Sequence, residues 1–357
     1  MACLVKIPDQ NSKGVVTFTT QERDKLIFSD GNIFQKIVSL KEKYVIGLHH
    51  NWHDYGFRYN PLFDFSMAGI GDLGNSEVPL VTLDACNFIP DDFFASSGEK
   101  FWDVIYVTRA VYFKRVELFL KTIKKIYSSG RNIKVLLVCC IPPEDATPKN
   151  VIEDYMSIFS SQERKFFTFL PLTHDYPFCL DPSTVGFLYR SSKVFTHFAN
   201  DERRCRVVAN AGATAMPIVC MPDPASIIPE NLRVPPYCYI VNHDDDYSNK
   251  ILEALDDYNK GNDLSKISES FSTKHTSLEL KNQLQKFLNV NSKDMNDNSY
   301  NFNNLDIRLG RHHSISYGPN KVDMSINEFS QILNDKNILD KIWSSSSKDI
   351  ELSFITK

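Results

Sequence analysis

The sequence predicts an α/β protein centred on a doubly wound parallel sheet, with a smaller N-terminal α/β domain and a polar C-terminal extension. Two observations carry this prediction. From residue 100 to 260, short apolar runs alternate with amphipathic stretches of about 10–16 residues, as in parallel sheets whose strands are buried on both faces and joined by helices. The chain has 357 residues, which suits about two domains of 100–200 residues each.

The first strand and helix of the central domain show the pattern clearly. The strand Trp102–Thr108 (WDVIYVT) precedes a helix that runs to about Ser128, in which Val116, Leu120 and Ile123 share one face. The further predicted strands are Ile133–Ile141, Lys165–Leu172, Lys193–Ala199, Pro217–Met221 and Tyr237–Val241. The further predicted helices are Asn150–Ser160, Ser183–Ser191, one that begins near Asp201, and Tyr247–Tyr258. Right-handed crossovers in such a sheet place ligands beyond the carboxyl ends of the strands.

The flanking regions are less regular, and they complete a predicted division into residues 1–99, 100–260 and 261–357. The first region contains strands at Val15–Thr19 and Tyr44–Leu48 and a helix near Ile33–Lys43. In the last region, Asn289–Asn304 is typical of a linker, and Ser325–Trp343 has a serine cap and helical periodicity.

Composition excludes several classes of protein. With 42% hydrophobic and 24% charged residues the chain is typical of globular proteins, and a net charge of -4 argues against a nucleic-acid partner. No apolar run reaches the roughly 18–20 residues that cross a bilayer. The N-terminal MACLVKIPDQNSKG lacks the apolar core of about 7–15 residues of a signal peptide. We therefore expect a soluble, cytoplasmic protein.

The eight cysteines agree with a reducing compartment. They show no CxxC spacing, and Cys139 and Cys140 lie inside an apolar run, where free cysteine behaves as a small buried hydrophobe. We therefore expect buried thiols and no metal site.

Several segments together resemble a known protein family. They are Val81–Phe94 (VTLDACNFIPDDFF), Arg109–Lys114 after the strand WDVIYVT, Phe187–Phe195 followed by Asp201-Glu202, Ala209–Val219 (ANAGATAMPIV), and Tyr237–Leu255. In this order they resemble the donor-binding, C-terminal half of glycosyltransferases with two facing Rossmann-like domains, the GT-B fold, especially the retaining family 4 type. The resemblance covers about half of the chain.

The resemblance implies transfer of a sugar from a nucleotide-sugar donor to a glycan or glycoconjugate acceptor, as in polysaccharide biosynthesis. It implies retention of anomeric configuration, no metal requirement, and no cofactor apart from the nucleotide-sugar substrate. Residues 1–99 would then be the acceptor-side domain and residues 100–260 the donor domain.

Arg109 and Lys114 are the candidate phosphate-binding residues. They follow a strand and precede a helix, where backbone N–H groups and the helix dipole favour an anion. Two cations there can bind a diphosphate and offset the charge on a nucleotide leaving group. The alternative is that both are solvated charges at a helix end. In the resembled family, an arginine and a lysine with this spacing follow a strand of the donor domain.

Glu202 is the candidate catalytic carboxylate, since it matches the first glutamate of the family's paired motif, which faces the transferred sugar. The second glutamate, which contacts the ribose, is replaced by Asn210, which can hydrogen-bond a hydroxyl but supplies no carboxylate. The family's glycine five residues later is replaced by Ala215. Arg206 belongs to a basic cluster beside Glu202 that suits an anionic sugar or phosphate, or balances nearby acids.

Three histidines complete the candidate site. His174 follows a predicted strand and is expected to contact the base or ribose of a nucleotide. His50 and His53 belong to LHHNWHDYG, at a strand end of the N-terminal domain, where an acceptor-side acid or base is expected. The alternatives are structural histidines or a metal site, although the spacing matches no familiar zinc motif.

Other interpretations of the sequence remain open. Gly69–Gly74 matches GxGxxG but lacks the following helix of a dinucleotide site. Lys121, Lys124 and Lys125 make a peripheral membrane contact possible, or form a solvated face. The protein as a whole is alternatively a non-catalytic binding or scaffold subunit of the GT-B type, or an unrelated doubly wound enzyme acting on a nucleotide or phosphorylated sugar. The sequence does not reveal the oligomeric state.

Overall fold

The computed structural model describes residues 3–50, 60–68, 79–94, 98–142, 151–174, 179–288, 299–302, 305, 309 and 331–337. Within these residues the strands are β1 (Cys3–Lys6), β2 (Gly14–Thr19), β3 (Tyr44–His49), β4 (Phe65–Met67), β5 (Leu80–Val81), β6 (Trp102–Arg109), β7 (Val135–Cys140), β8 (Phe167–Leu172), β9 (Ser192–His197), β10 (Ile218–Cys220) and β11 (Cys238–Ile240). The α-helices are α1 (Thr20–Glu22), α2 (Gly31–Leu40), α3 (Val116–Ser128), α4 (Val151–Ile158), α5 (Pro182–Arg190), α6 (Arg206–Ala213), α7 (Pro222–Ala225), α8 (Tyr247–Asn259), α9 (Ser265–Phe271) and α10 (Thr273–Leu288).

The chain forms two compact units, one of residues 1–88 with 276–357 and one of Ile89–His275. This division differs from the predicted boundaries after residues 99 and 260, because α9 belongs to the second unit and most of α10 to the first. The polar composition of the C-terminal region hides a narrow apolar stripe: Leu280, Leu284 and Leu288 are buried in a core shared with β1 to β5. The last part of the chain therefore completes the N-terminal unit.

The second unit confirms the predicted doubly wound α/β architecture. Its sheet has the order β11-β10-β9-β6-β7-β8, and every pair of neighbouring strands is parallel. Buried side chains of α3, α4 and α8 cover one face and those of α5, α6 and α9 cover the other. The buried residues of these helices join those of the strands in two cores, one on each face of the sheet.

The first unit has a sheet of order β1-β2-β3-β4-β5, in which β1 is antiparallel to β2 and the other pairs are parallel. One face carries the leucines of α10, and the other carries Ile37 and Leu40 of α2 together with Leu333. Aspartate Asp30 caps α2 by accepting hydrogen bonds from the backbone N–H groups of Asn32 and Ile33. An α/β N-terminal unit is thus confirmed.

Most predicted elements of the second unit are present within a few residues of their expected ends. The helix expected near Asp201 begins only at Arg206. The delay has a local cause: Arg204 adopts a left-handed conformation with φ 54°, and Cys205 is extended as the N-cap, so no helix can pass through them. Of the expected helix Ser325–Trp343, the structure describes only residues 331–337, and most of the expected linker 289–304 lies outside the described residues.

The lysines on the outer face of α3 each have a partner. Lys121 pairs with Glu117, Lys124 with Glu163, and Lys125 donates to the main-chain oxygen of Asp245. Since two of the three charges are neutralised by acids, α3 does not present a concentrated cationic face. Among the described residues, no helix is both long enough and apolar enough to cross a membrane.

Candidate functional site

The strand order of the second unit reverses between β6 and β9. The chain proceeds from β6 outward through β7 and β8, then returns to the other side of β6 to build β9, β10 and β11. In open α/β sheets, ligands bind in the crevice outside the carboxyl ends of the strands at this point, because the two following loops diverge there. Here the crevice is flanked by the loop after β6 and the loop after β9.

The loop after β6 places two cations at the crevice. Arg109 is the last residue of β6 and is half-buried, and its side chain has no hydrogen bond or ion pair to another described residue. Lys114 ends a short 3-10 turn (Tyr112–Lys114) and is buried, with its ammonium 5.3 Å from the centre of the Phe113 ring. The hydroxyl of Tyr106 donates to the main-chain oxygen of Lys114 and so holds the turn on the sheet.

The loop after β9 brings Glu202 against Lys114. The Lys114 ammonium contacts both carboxylate oxygens of Glu202, although the two residues are 88 positions apart in the chain. The side chain of Lys114 is 5% exposed and that of Glu202 is 20% exposed. The two sides of the crevice are therefore joined by one largely buried ion pair.

His197, the last residue of β9, also contacts this carboxylate. Its Nε2 lies 2.6 Å from Oε2 of Glu202 and 3.4 Å from Sγ of Cys205. The ring is fully buried, stacked near Phe195 at 6.2 Å and edge-on to Tyr106 at 5.8 Å between ring centres. Packing on both sides thus fixes the direction of the imidazole.

The charge state of the cluster follows from burial and neighbouring charges. Burial alone raises the pKa of the Glu202 carboxyl, but the charge of Lys114 and the contact with His197 outweigh it and hold this pKa well below its usual range. Burial lowers the pKa of the His197 ring, against the attraction of Glu202. A neutral imidazole beside an ionised carboxylate must carry its proton on Nε2, since the carboxylate can only accept.

His197, Glu202 and Cys205 also have the residue types of a metal site, with one donor atom from each within 4.8 Å of the others. Zinc accepts such a set of ligands. Two features fit a metal poorly: the Lys114 ammonium lies on the carboxylate, and Nδ1 of His197 has no hydrogen-bond partner among the described residues. Metal-bound histidines usually donate their second N–H to a neighbour. The arrangement is that of a hydrogen-bonded ion pair.

Helix α6 carries two further predicted residues. Arg206 is its first residue and is half-buried, whereas Asn210 lies one turn further and is 7% exposed. The Oδ1 atom of Asn210 is buried without a hydrogen-bond donor from the described residues. Ala215, just beyond the helix, has φ 53°, a conformation that glycine adopts without strain.

The predicted histidines are in different surroundings. His174 is exposed, two residues after β8. His50 belongs to the first unit and is buried, 2% exposed, with Nε2 3.3 Å from Oγ of Ser66. Its neighbour His49 is also buried, and its Nε2 accepts from the backbone N–H of Ala85. His53 and the glycine segment 69–74 lie outside the described residues.

The two helices that follow the crevice strands begin without a side-chain cap. Neither the N-cap Arg115 of α3 nor the N-cap Cys205 of α6 accepts a hydrogen bond from the first turn. By contrast, Asp181 caps α5 through the N–H of Thr184. A helix start without a side-chain cap favours an anion through the helix dipole.

Sequence reasoning missed His197 and Cys205. His197 belongs to a stretch that the sequence predicts as an ordinary strand, and Cys205 belongs to the helix predicted to begin near Asp201; neither has a motif of its own. The available signal was position: a histidine at the end of an apolar strand, five residues before a candidate carboxylate, in a sheet whose ligands bind at its carboxyl edge.

Comparison with known proteins gives structural likenesses only. No protein-family model matches this chain, and no curated protein does. Among solved structures, a mutant of S. aureus TarM in complex with Fondaparinux, α-GlcNAc-glycerol and UDP is 11% identical, with a TM-score of 0.47 over 69% of this chain and 51% of that one. The pneumococcal O-GlcNAc transferase GtfA, in complex with UDP and GlcNAc, is 12% identical, with a TM-score of 0.45 over 71% and 55%.

A glycosyltransferase from Rickettsia africae ESF-5 is 12% identical, with a TM-score of 0.46 over 74% of this chain and 82% of that one. By contrast, the matches with TarM and GtfA cover only about half the length of those two chains. At these identities and TM-scores, none of the likenesses assigns a function to this chain.

Proposed function

We propose that this protein is a glycosyltransferase that moves a sugar from a nucleotide-sugar donor to a glycan or glycoconjugate acceptor. One juxtaposition carries the proposal: a paired lysine and carboxylate lie at the switch point of a parallel sheet, between β6 and β9, beside an arginine whose side chain has no partner among the described residues. Such a crevice suits a nucleotide, cations suit its diphosphate, and a fixed carboxylate suits the transferred sugar.

Arg109 is assigned the first contact with the diphosphate. Its guanidinium lies at the end of β6, half-buried, with no partner among the described residues to neutralise it. A guanidinium can bind phosphate oxygens in a bidentate way, and partial burial strengthens that attraction. The starts of α3 and α6, which no N-cap side chain caps, favour the same anion through the helix dipole.

Lys114 and Glu202 are assigned linked roles. In the structure the ammonium neutralises the carboxylate. A bound diphosphate competes for Lys114, and the carboxylate is then directed at the donor sugar. Because Lys114 and Arg109 supply positive charge to the leaving nucleotide, this reaction would need no metal and no cofactor besides the donor.

The remaining assignments concern the rest of the donor and the acceptor. Asn210 would contact the nucleotide through its buried amide, and His174 and Arg206 would contribute to nucleotide or sugar binding. His50 and His53 would serve the acceptor as acid, base or orienting groups. Retention of configuration, a setting in polysaccharide assembly and a cytoplasmic location belong to the same proposal.

The experiment is a calorimetric titration of the full chain with UDP-, GDP-, ADP-, CMP- and dTDP-sugars. We expect one donor class to bind, and Arg109→Ala to lower its affinity by about 10–100-fold through loss of a charged hydrogen bond. Arg131→Ala is the matched control. Arg131 is an exposed arginine that precedes β7, so it lies at the amino edge of the same sheet, away from the crevice. Binding of no donor, or equal effects of the two variants, would contradict the proposal.

A second candidate function is nucleotide binding without transfer. It is favoured by the ion pair that occupies both Lys114 and Glu202 and by the amide at Asn210. Hydrolysis of the bound donor separates the two candidates: transferase chemistry requires turnover that falls by about 100-fold in Glu202→Gln while donor affinity is kept. A bound donor that is never hydrolysed or transferred favours the binding protein.

A further inference from the structure

We propose that His197 is a positioning residue for Glu202: its Nε2–H holds one carboxylate oxygen, so the direction of Glu202 into the crevice does not depend on Lys114 alone. The inference deepens the proposed function and rests on it where it concerns catalysis. It concerns a residue that had no place in the predicted site.

The ring of His197 is held independently of Glu202. It is fully buried at the end of β9, between the rings of Phe195 and Tyr106. Its main-chain oxygen accepts a 2.9 Å hydrogen bond from the hydroxyl of Tyr247, which anchors the strand end to α8. A donor fixed by packing on all sides keeps its direction when a neighbouring charge moves.

The hydrogen bond itself has only one consistent assignment. Nε2 lies 2.6 Å from Oε2 of Glu202 and 3.4 Å from Sγ of Cys205; the thiol can donate or accept, but an ionised carboxylate cannot donate. Nε2 must therefore carry the proton. Nδ1, which is buried without a partner among the described residues, is then the unprotonated nitrogen.

The two partners of Glu202 differ in what they can do during a reaction cycle. Lys114 is attracted by any anion that enters the crevice, because it is a point charge on a flexible stem. His197 is fully buried, and burial favours its neutral form, so it has no comparable attraction to an incoming phosphate. When a diphosphate draws Lys114 away, the histidine is the partner that remains.

Two substitutions separate the hydrogen bond from the packing. His197→Gln keeps an N–H donor near the position of Nε2 but removes the ring, whereas His197→Phe keeps a ring between Phe195 and Tyr106 but removes the donor. Circular dichroism and thermal unfolding establish that both variants are folded. Turnover of the donor is then measured for each, with kcat and KM determined separately.

We expect His197→Phe to lower kcat by about 10–100-fold with KM for the donor changed by less than about 3-fold, since the carboxylate loses its orientation and the phosphate contacts remain. We expect His197→Gln to keep kcat within about 5-fold of the unsubstituted protein. Equal losses in both variants, or a tolerated phenylalanine, would assign only a packing role to His197 and overturn the inference.

A measurement without substrate keeps the inference independent of the proposed function. In the full chain labelled with ¹⁵N-histidine, the His197 ring, assigned through His197→Gln, is expected as the Nε2–H tautomer. Its Nε2–H signal should shift in Glu202→Ala. An Nδ1–H tautomer, or a ring unaffected by Glu202→Ala, would overturn the positioning role. A protein that turns over no donor would instead refute the proposed function. The tautomer measured by NMR would still show whether Nε2–H of His197 donates to Glu202.

Discussion

The two sheets of this protein place polar residues at their carboxyl edges, but only one of them has a switch point among its described strands. In the first unit, β2, β3, β4 and β5 follow one another in sequence order. His49 and His50 at that edge are buried, with partners such as the N–H of Ala85 and the hydroxyl of Ser66. In the second unit the order reverses between β6 and β9, and charged side chains flank the reversal. Strand order, rather than residue type, distinguishes the two edges.

Each unit also contains a buried lysine. The two lysines differ in how far along the chain their acidic partner lies. Lys6 pairs with Asp9, three residues along the chain, and the carboxylate of Asp9 also accepts from the N–H groups of Asn11 and Ser12. Lys114 pairs with Glu202 across the switch point. The first pair holds a local turn together, whereas the second joins two strands and ends at the crevice.

The largest expected effect comes from removing the buried ammonium of the second unit. Lys114→Met leaves the Glu202 carboxylate largely buried without its charge partner, so we expect a loss of about 3–5 kcal/mol in the free energy of unfolding. Denaturant unfolding measures it. The double variant Lys114→Met with Glu202→Leu should recover most of the loss, because no charge then remains buried.

Lys6→Met is the matched control in the first unit. Asp9 keeps its backbone hydrogen bonds and partial contact with water, so the loss should be about 1–2 kcal/mol. A larger loss for Lys6→Met than for Lys114→Met would show that the contrast between the two pairs is wrong.

The next largest effect concerns two glycines that contact aromatic rings. A Cβ at Gly47 would lie 2.3 Å from the ring of Phe65, and one at Gly212 would lie 2.4 Å from the ring of Phe271. Both rings are buried and cannot move freely, so we expect Gly47→Ala and Gly212→Ala each to lower the free energy of unfolding by about 1–3 kcal/mol. Gly31→Ala is the control, since nothing lies within 4 Å of that position.

The two glycine variants are expected to differ in their affinity for the nucleotide-sugar donor. Gly212 packs α6, the helix of Asn210, against α9, so Gly212→Ala should also weaken donor binding in calorimetry. Gly47→Ala should leave donor binding unchanged. The opposite pattern would contradict the assignment of the donor site to the second unit.

A third effect is a dependence of stability on pH. Burial lowers the pKa of His197 in the folded protein below its ordinary value of 6.5. The unfolded chain therefore binds a proton more readily below pH 6.5, and folding stability falls as the pH is lowered, by at most about 1.4 kcal/mol per pH unit for one proton. His197→Gln should flatten this decline below about pH 6.5, measured by denaturant unfolding at each pH.

Glu202 also makes folding stability fall as the pH is lowered, but in a more acidic range. Its pKa in the folded protein lies below its ordinary value of 4.5, so its contribution is present above pH 4.5 and is lost as the pH falls further. Glu202→Gln should therefore change the curve mainly below pH 4.5. A pH profile of His197→Gln parallel to that of the unsubstituted protein would show that His197 is not buried in its neutral form.

The smallest effect is a gain in stability at the end of α6. The N–H of Ala215 bonds to the oxygen of Gly212 and that of Met216 to the oxygen of Ala211, the pattern of a Schellman motif, and Ala215 adopts the left-handed conformation that this motif usually gives to glycine. We expect Ala215→Gly to raise the free energy of unfolding by about 1 kcal/mol. Ala213→Gly, inside the helix, should lower it by about 1 kcal/mol.

Much of the second unit could be predicted from sequence because its signals are local. The apolar run around Val135–Cys140 and the stripe of α3 are each sufficient to place an element. The helix α10 could not be assigned to the first unit in the same way. Its three buried leucines are spread over a polar segment, and only packing against β1 to β5 shows which sheet they cover.

In the candidate site, too, some residues could be selected from sequence, whereas the contacts between them could not. Arg109 and Lys114 could be selected from sequence, since cations just beyond a strand end have a physical meaning, and Glu202 could be selected through its resemblance to a family motif. The ion pair between Lys114 and Glu202 could not be foreseen, because it depends on β6 and β9 being neighbours. The position of His197 at a strand end was a signal, but its contacts with Glu202 and Cys205 depend on the conformation of the loop after β9.

The sequence by itself determined the α/β class, the alternation of strands and helices, and the residues that end near the carboxyl edge of the sheet. These follow from side-chain periodicity and local capping, which act over a few residues. The tertiary structure alone decided that β9 lies beside β6, that the C-terminal chain completes the first unit, and that His197 and Lys114 share Glu202. Those arrangements depend on contacts between residues far apart in the chain, which no local pattern encodes.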